Sequence, residues 1–189
     1  MFANGDQAVA DAGVMRRAMQ YATNFDALIA CRPDTHALSR NTTMNAGAFA
    51  ARLGLKGAPS EAEWIAIERD LLLAETTGAR ILIDTLSTSR ALNAVTRARK
   101  SGVRVACTVA AYSLYFNELD VGDYLTYCKV FPPFRSEEER KALLAGKVDS
   151  LSGLGENDHF GRLQLVDRLG RRHFGTSGQR SDRNSQSKG

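Results

Sequence analysis

The sequence is poor in the features that mark disulfide-rich, secreted and membrane proteins. It has only three cysteines in 189 residues, and Cys31, Cys107 and Cys128 show no C-x-x-C spacing. No apolar run approaches the roughly 20 residues of a transmembrane helix, and the first residues lack the basic and then apolar pattern of a signal peptide. We therefore expect buried, reduced thiols, no membrane partner and a cytoplasmic location.

The positive charge of the chain is concentrated at one end. Residues 161–189 contain seven Lys or Arg and two Asp, a net charge of +5, whereas residues 1–160 carry −1. A nucleic-acid-binding domain carries its basic residues on the folded surface, so this distribution predicts no nucleic-acid partner. Residues 147–189 are rich in Gly and Ser and predict a basic, low-complexity tail that is disordered, above all beyond about residue 176. Residues 1–146 then form the folded domain.

Strand-like and helix-like patterns alternate through residues 1–146. Continuous apolar runs predict buried parallel strands at residues 27–31, 80–84 and 103–108, with 127–130 as a candidate fourth. Apolar periodicity and end signals predict helices over residues 11–22, 46–53, 60–78, 87 or 89 to 100, and 136–145. Strands and helices joined by short links favour right-handed βαβ units, and therefore an α/β fold with three or four parallel strands.

The same patterns predict two helix starts and a set of core residues. Ser60 with Glu63, and Ser136 with Glu139, have the spacing of capping boxes, in which the side chain of the glutamate bonds back to the start of its own helix. Large side chains on the strands and on one helical face are expected to be buried: Ile29, Trp64, Ile67, Leu71, Ile81, Ile83, Val103 and Val105.

Four segments carry the strongest functional signal. Residues 43–47 read TMNAG, residues 52–63 read RLGLKGAPSEAE, residues 86–88 read LST and residues 129–140 read KVFPPFRSEEER. In this order they resemble motifs of dihydroorotases and related cyclic amidohydrolases, "M-N-E-G", "R-L-G-L-x-G-I-P-x-x-A-E", "H-V-S-T" and "K-V-x-P-P-L-R-S-E-E-D-R". The resemblance implies part of a TIM-type (β/α) barrel and an ancestral enzyme that opens or closes a cyclic amide in pyrimidine biosynthesis.

The resemblance also implies a zinc-dependent mechanism, because metal-bound water is the nucleophile in this family. The family's H-x-H and bridging ligand have no counterpart in the chain. Arg32 stands where a ligand histidine belongs, Leu82 and Thr85 replace two further histidines, and Phe131 replaces an asparagine that contacts the substrate. An arginine side chain does not give up its proton to bind a metal. We therefore expect no metal ligand and no cofactor in this chain.

Two residues remain as candidates for the site. The resemblance to the "M-N-E-G" motif implies that Asn45 binds substrate. Asp158, in the sequence Asn157-Asp158-His159, lies at the distance from Pro132 expected for the family's catalytic aspartate. The alternative is coincidence, because residues 150–156 are poor strand formers.

The other polar and aromatic candidates have plain structural interpretations beside their functional ones. His36 and His173 are expected to be solvent-exposed, although His36 follows Asp34 closely. Asp84 ends a strand and could bind a cation, but a helix cap or salt bridge is the expectation. Tyr112, Tyr115 and Phe116 are expected to pack in the core rather than to form a stacking surface.

Three interpretations of the chain follow. The first is a dihydroorotase-type enzyme, expected to be inactive in this chain because the ligands are missing. The second is a non-catalytic structural partner of aspartate transcarbamoylase, or self-association, since an incomplete parallel sheet leaves unpaired edges and an apolar face. The third is a truncated or frameshifted remnant.

Overall fold

Four parallel strands form the main sheet of the protein. The structure is a computed structural model that describes residues 1–122 and 125–152. The strands lie in chain order, with these bounds: β1 Phe2–Ala3, β2 Leu28–Cys31, β5 Arg80–Ile83 and β6 Val105–Cys107. Ile29 pairs with Ile81, and Ile81 with Val105, so the carboxyl ends of β2, β5 and β6 finish at one level.

A second, two-stranded parallel sheet lies between β2 and β5 in the sequence. It pairs β3, Met44–Asn45, with β4, Gly57–Ala58. Gly57 is required there, because a Cβ atom would lie 2.3 Å from the Cα atom of Ala46. This small sheet fixes the TMNAG segment against the start of the next helix.

Helices follow the strands in alternation. Their bounds are α1 Ala12–Thr23, α2 His36–Ser39, α3 Ala48–Leu53, α4 Glu61–Thr77, α5 Ser89–Lys100, α6 Tyr112–Tyr115 and α7 Glu137–Ser152. The helix α1 packs on α4, α4 on α5, and α5 on α7, in the order of the strands that they follow. The predicted βαβ alternation and the parallel sheet in chain order are confirmed.

One face of the sheet supplies the core. Ile29, Cys31, Ile81 and Ile83 are at most 5% exposed, and they alternate along β2 and β5 with half-buried residues. This alternation arises because successive side chains of a strand point to opposite faces. The half-buried residues, such as Leu82, therefore belong to the other face of the sheet. Of the eight residues predicted to be buried, Trp64 and Val103 are only half-buried. The Trp64 ring lies at the surface beneath the guanidinium of Arg90, at 3.8 Å.

The fourth strand was predicted in the wrong place. It is β1 at the start of the chain, whereas residues 126–128 form a short 3-10 helix, Thr126–Cys128. The apolar side chains of Cys128 and Val130 pack instead on a second cluster around Met44 and Phe134. Apolar character alone does not distinguish a strand from a packed turn.

The helix caps also differ from the prediction. Ser60 has helical backbone angles and makes no capping bond, so the capping box with Glu63 is wrong. Thr88, rather than Ser87 or Ser89, caps α5, since its side chain accepts a hydrogen bond from the N–H of Ala91. The serine half of the second box is present, since the Ser136 hydroxyl accepts a hydrogen bond from the N–H of Glu139 at 3.4 Å. The Glu139 side chain, however, accepts a hydrogen bond from the N–H of Ser89 rather than bonding back to its own helix. In both predicted capping boxes, the glutamate side chain accepts hydrogen bonds from backbone N–H groups of residues 87–89, near the start of α5.

A buried carboxyl group makes the stability of the fold depend on pH. Asp70 on α4 is fully buried, and burial raises the pKa of its carboxyl group from the usual 3.8 to about 6, although Arg69 partly opposes this shift. A pKa raised in the folded state means that the protonated form is favoured by folding. The stabilisation is complete below pH 3.8 and is lost as the pH rises through about 6.

We predict that Asp70→Asn flattens the pH dependence of stability between about pH 4 and 6. The shift of the Asp70 pKa corresponds to about 3 kcal/mol of unfolding free energy. The wild-type protein should lose this amount as the pH rises, whereas the variant should not. Urea unfolding at several pH values measures the difference between the two proteins. Asp6→Asn, at an exposed site, is the control. Parallel stability curves for wild type and Asp70→Asn would contradict the prediction.

Candidate functional site

The carboxyl ends of β2, β5 and β6 carry one connected group of polar side chains. Arg32, Asp84 and Thr108 each directly follow one of these strands. The Thr108 hydroxyl donates to Asp84 Oδ1 at 2.9 Å, and Arg32 Nη1 lies 4.0 Å from Asp84 Oδ2. We call these three residues the strand-end cluster. Its arginine is largely buried, with 13% of the side chain exposed, whereas the Asp84 side chain is 43% exposed.

Thr85 stands beside this cluster in an unusual backbone conformation. Its φ angle is +60°, a region that β-branched residues rarely adopt. The N–H of Thr85 donates to Thr108 Oγ1 at 2.8 Å, and its hydroxyl donates to the carbonyl of Asp84 at 2.7 Å. Both polar groups that could reach a ligand are therefore used to hold this turn.

A segment running from Phe131 to Arg135 crosses the strand ends. Arg32 Nη2 donates to the Phe131 carbonyl at 3.0 Å, and the guanidinium lies 5.1 Å from the centre of the Phe131 ring. The Tyr112 hydroxyl donates to the Pro132 carbonyl at 3.1 Å. We call residues 131–135 the strap, because hydrogen bonds from Arg32 and Tyr112 hold this segment against the rest of the protein.

The far end of the strap is anchored in a buried ionic network. Arg135 is 6% exposed, and its Nη2 lies 3.5 Å from Oε2 of Glu63, which is 3% exposed. Glu63 Oε1 accepts hydrogen bonds from the N–H of Ser87 at 2.9 Å and from the N–H and hydroxyl of Thr88 at 3.0 and 2.8 Å. The Ser87 hydroxyl donates to Glu63 Oε2 and accepts from Arg135 Nε at 2.9 Å. This arrangement satisfies a buried charge with a partner charge and several hydrogen bonds.

Asn45 belongs to the same network. Its Oδ1 accepts from Arg135 Nη1 at 2.9 Å, and its Nδ2 donates to Glu118 Oε2 at 2.6 Å. The side chain that the sequence assigned to substrate binding therefore joins β3 to the strap and to the 3-10 helix Glu118–Val121. The substrate-binding role of Asn45 stays a prediction, and both ends of its amide are engaged by protein atoms.

The chain resembles known proteins in both its sequence and its fold. A family model described as "Dihydro-orotase-like" matches residues 1–91. The dihydroorotase of Desulforapulum autotrophicum is 38% identical over 151 residues, which cover 80% of this chain and 35% of that protein. The dihydroorotase of Carboxydothermus hydrogenoformans is 37% identical over the same coverage. The chain belongs to the dihydroorotase-like family.

The fold of this dihydroorotase-like chain also resembles solved structures. The L-hydantoinase (dihydropyrimidinase) of Arthrobacter aurescens superimposes with a TM-score of 0.65 at 21% identity, over 77% of this chain and 33% of that protein. At this identity the likeness concerns the fold alone, and it supports the interpretation of the parallel sheet as part of an amidohydrolase barrel. The chain spans about a third of the length of the relatives that it matches.

The residues at the strand ends do not fit the zinc site that the family implies. Arg32 brings a fixed positive charge to the end of β2, and Leu82 offers no donor atom. The hydroxyl of Thr85 is turned to the Asp84 carbonyl. Within residues 1–122 and 125–152, no group of three or more His, Cys, Asp or Glu side chains could hold a metal ion. We therefore derive no catalytic step through a metal in this part of the chain.

The space at the site is also small. A cavity of about 10 Å³ lies between the strap and α4, lined by residues that include Asp34, Glu63, Phe131 and Arg135. A groove of about 170 Å³ runs along the other side of the strap, lined by Thr42, Thr43, Met44, Lys129, Val130, Phe131 and Pro133. Sites for small molecules usually measure about 300–1,000 Å³, so both of these spaces are smaller than an ordinary small-molecule site.

The remaining sequence candidates are scattered. Asp158 and His173 lie outside the described residues, as does the predicted tail beyond residue 152. His36 begins α2 with a side chain that is 74% exposed, and its Nδ1 lies 3.8 Å from Asp34. Asp84 forms the expected salt bridge but caps no helix. Within the described residues, no helix is long and apolar enough to cross a membrane.

The aromatic and cysteine predictions are partly correct. Tyr112 packs against Phe134, but Tyr115 is 73% exposed and Phe116 is 47% exposed. Core packing is therefore wrong for Tyr115 and Phe116, although one face of the Phe116 ring stacks on Phe134. All three cysteines are free thiols. Cys31 is buried, and burial raises the pKa of its thiol, an effect that the nearby Asp70 charge increases. A thiol that stays protonated is a poor nucleophile.

Sequence reasoning missed the network of Glu63 and Arg135. The spacing from Ser60 to Glu63 matched a capping box, and that match concealed the role of the glutamate. Arg135 could have been found, because it lies inside the KVFPPFRSEEER motif and a buried arginine needs a carboxylate partner. Its partner lies 72 positions earlier, where no local pattern identifies it.

We predict that Arg135→Met destabilises the protein by about 3 kcal/mol or more, because it leaves the buried Glu63 carboxylate without its countercharge. Arg97→Met is the matched control, since Arg97 pairs with Glu68 on the exposed surface, where such a pair contributes about 1 kcal/mol or less. Urea unfolding followed by circular dichroism measures both. Equal losses for the two variants would argue against the network as a main source of stability.

Proposed function

We propose that this chain is a dihydroorotase-like protein of pyrimidine biosynthesis that does not itself catalyse the hydrolysis of a cyclic amide. The observation that carries the proposal is the position of Arg32. Its guanidinium lies at the end of β2 between Asp84 and the Phe131 carbonyl, where a hydrolase of this family needs a neutral metal ligand. The two spaces beside the strap are smaller than an ordinary small-molecule site, which supports the same conclusion.

A turnover assay tests this proposal. We expect the purified chain to show no conversion of dihydroorotate or carbamoyl aspartate above the uncatalysed rate, with or without added zinc. A complete dihydroorotase assayed in parallel is the positive control. Chelator-sensitive turnover by the purified chain would contradict the proposal. Loss of that turnover in Asp158→Asn would then identify Asp158 as the catalytic aspartate.

A structural role in a complex is the second candidate, and one surface favours it. Between Tyr115 and Phe131 the described residues expose six large apolar side chains: Tyr115, Phe116, Leu119, Leu125, Tyr127 and Phe131. Tyr115 and Tyr127 are 73% and 75% exposed. Contiguous exposed apolar patches are typical of association surfaces, and six such side chains within 17 residues are the reason to propose one here. Aspartate transcarbamoylase is the partner that the family resemblance implies.

We predict that a tagged form of this chain co-purifies with aspartate transcarbamoylase from its native source. Tyr115→Ser combined with Tyr127→Ser should reduce the recovered enzyme at least tenfold, since aromatic anchors contribute strongly to interfaces. Tyr21→Ser is the control, because Tyr21 is 59% exposed on α1, outside the 115–131 segment. Recovery of the chain as a dimer without the enzyme would favour self-association instead.

The interpretation as a remnant makes a different prediction. It requires coding sequence in a shifted frame near codon 146, or in-frame homology upstream of the first codon. Reading the surrounding DNA tests both. The buried network of Glu63, Ser87, Thr88 and Arg135 supports a retained fold, because such matched polar groups are costly once one partner is lost.

A further inference from the structure

Arg32 uses its guanidinium to join three different parts of the protein. It follows β2 directly, it approaches Asp84 after β5, and it binds both the carbonyl and the ring of Phe131 in the strap. These contacts come from residues 52 and 99 positions away in the sequence. The side chain is 13% exposed, so its charge is held close to the sheet rather than in solvent.

The charge balance at the strand ends depends on this arginine. Asp84 receives a hydrogen bond from Thr108, which is neutral and leaves the charge of the carboxylate uncompensated. Among the ion pairs of the described residues, Arg32 is the cation that approaches Asp84. The family resemblance implies metal ligands at the positions that Leu82 and Thr85 occupy here, and neither of these side chains carries a charge.

We infer that the Arg32 guanidinium supplies the positive charge that a bound metal ion would otherwise supply at this end of the sheet. Arg32 balances Asp84 on one side and ties the strap down through Phe131 on the other. The strand ends are thereby held to the strap without a metal. A guanidinium suits this role, because its planar set of N–H groups can serve a carboxylate, a carbonyl and an aromatic ring together.

The proposed role of Arg32 and the proposed lack of catalysis concern the same strand ends, but either one can be wrong while the other is right. A chain without turnover could still bind zinc through Asp84, and a chain with turnover could use residues outside the described part. Zinc binding and charge coupling are therefore measured directly, on the full chain and without a catalytic readout.

The first experiment is a double-mutant cycle between Arg32 and Asp84. We expect Arg32→Met to lower the thermal midpoint by several degrees, and to have a clearly smaller effect in the Asp84→Asn background, where no charge is left to balance. Arg52→Met is the matched control, because Arg52 is exposed and stacks on Phe49 at 4.7 Å without a carboxylate partner among its described contacts. Additive effects of the two substitutions would overturn the inference.

The second experiment measures zinc by calorimetric titration and by its effect on the thermal midpoint. We expect the wild-type chain and Asp84→Asn to give the same zinc titration. We also expect a chelator to leave the thermal midpoint of the wild-type chain unchanged. Wild-type zinc binding that Asp84→Asn abolishes would overturn the inference.

A ligand-restoring variant completes the test. Arg32→His combined with Thr85→His removes the guanidinium and adds two imidazoles beside Asp84, and histidine tolerates the positive φ of residue 85 better than most residues. We expect this variant to gain a zinc-dependent rise in the midpoint. A folded double variant that gains no zinc binding would overturn the assignment of this corner as the place of the ion. If the variant does not fold, the wild-type titration and the double-mutant cycle decide.

Discussion

The buried ion pair of Glu63 and Arg135 joins the helix α4 to the strap and to the start of α5. A carboxylate that is 3% exposed is stable only when its charge and its hydrogen bonds are matched. Here the matching groups come from the start of α5 and from the strap. The pair therefore fixes α4, the end of β5 and the strap relative to one another. Asn45 extends this constraint to the small sheet of β3 and β4.

The strand-end cluster lies at the other end of the same strap. Arg32 holds Phe131, and Glu63 holds Arg135, so the segment between them is fixed at both ends over the sheet. The carboxyl ends of β2, β5 and β6 thus carry side chains that contact each other and the strap, with the Asp84 side chain still 43% exposed. In an enzyme, polar groups at the carboxyl ends of barrel strands are directed at the substrate. In this chain Arg32, Asp84 and Thr108 contact one another and the strap, although the buried Nε of Arg32 makes no hydrogen bond. These contacts are the physical basis for proposing a non-catalytic role.

Much of the fold could be predicted because its signals are local. The strands around Ile29 and Ile81 are short continuous apolar runs, and α4 ends at Gly78, which adopts a left-handed conformation that favours glycine. Predictions failed where two distant segments compete for one side chain. Glu63 and Glu139 have ideal capping-box spacing, yet both side chains bond to residues 87–89, because those backbone N–H groups at the start of α5 also need acceptors. The role of the candidate site was harder to predict for the same reason, since Asn45 is engaged by Arg135 and Glu118 from far along the chain.

The amino-acid sequence predicted the alternation of strands and helices, the family, and the replacement of the family's metal ligands by Arg32, Leu82 and Thr85. These conclusions need only residue identity and short-range periodicity. The roles of these side chains became visible only in the folded protein. Arg32 pairs with Asp84 and the strap, Thr85 bonds to its neighbours, and Asn45 is held inside the network of Glu63 and Arg135. The physical reason is that hydrogen bonds and ion pairs depend on distance in space. Residues 32, 84 and 131 come together only when the parallel strands end at one level and the strap crosses them.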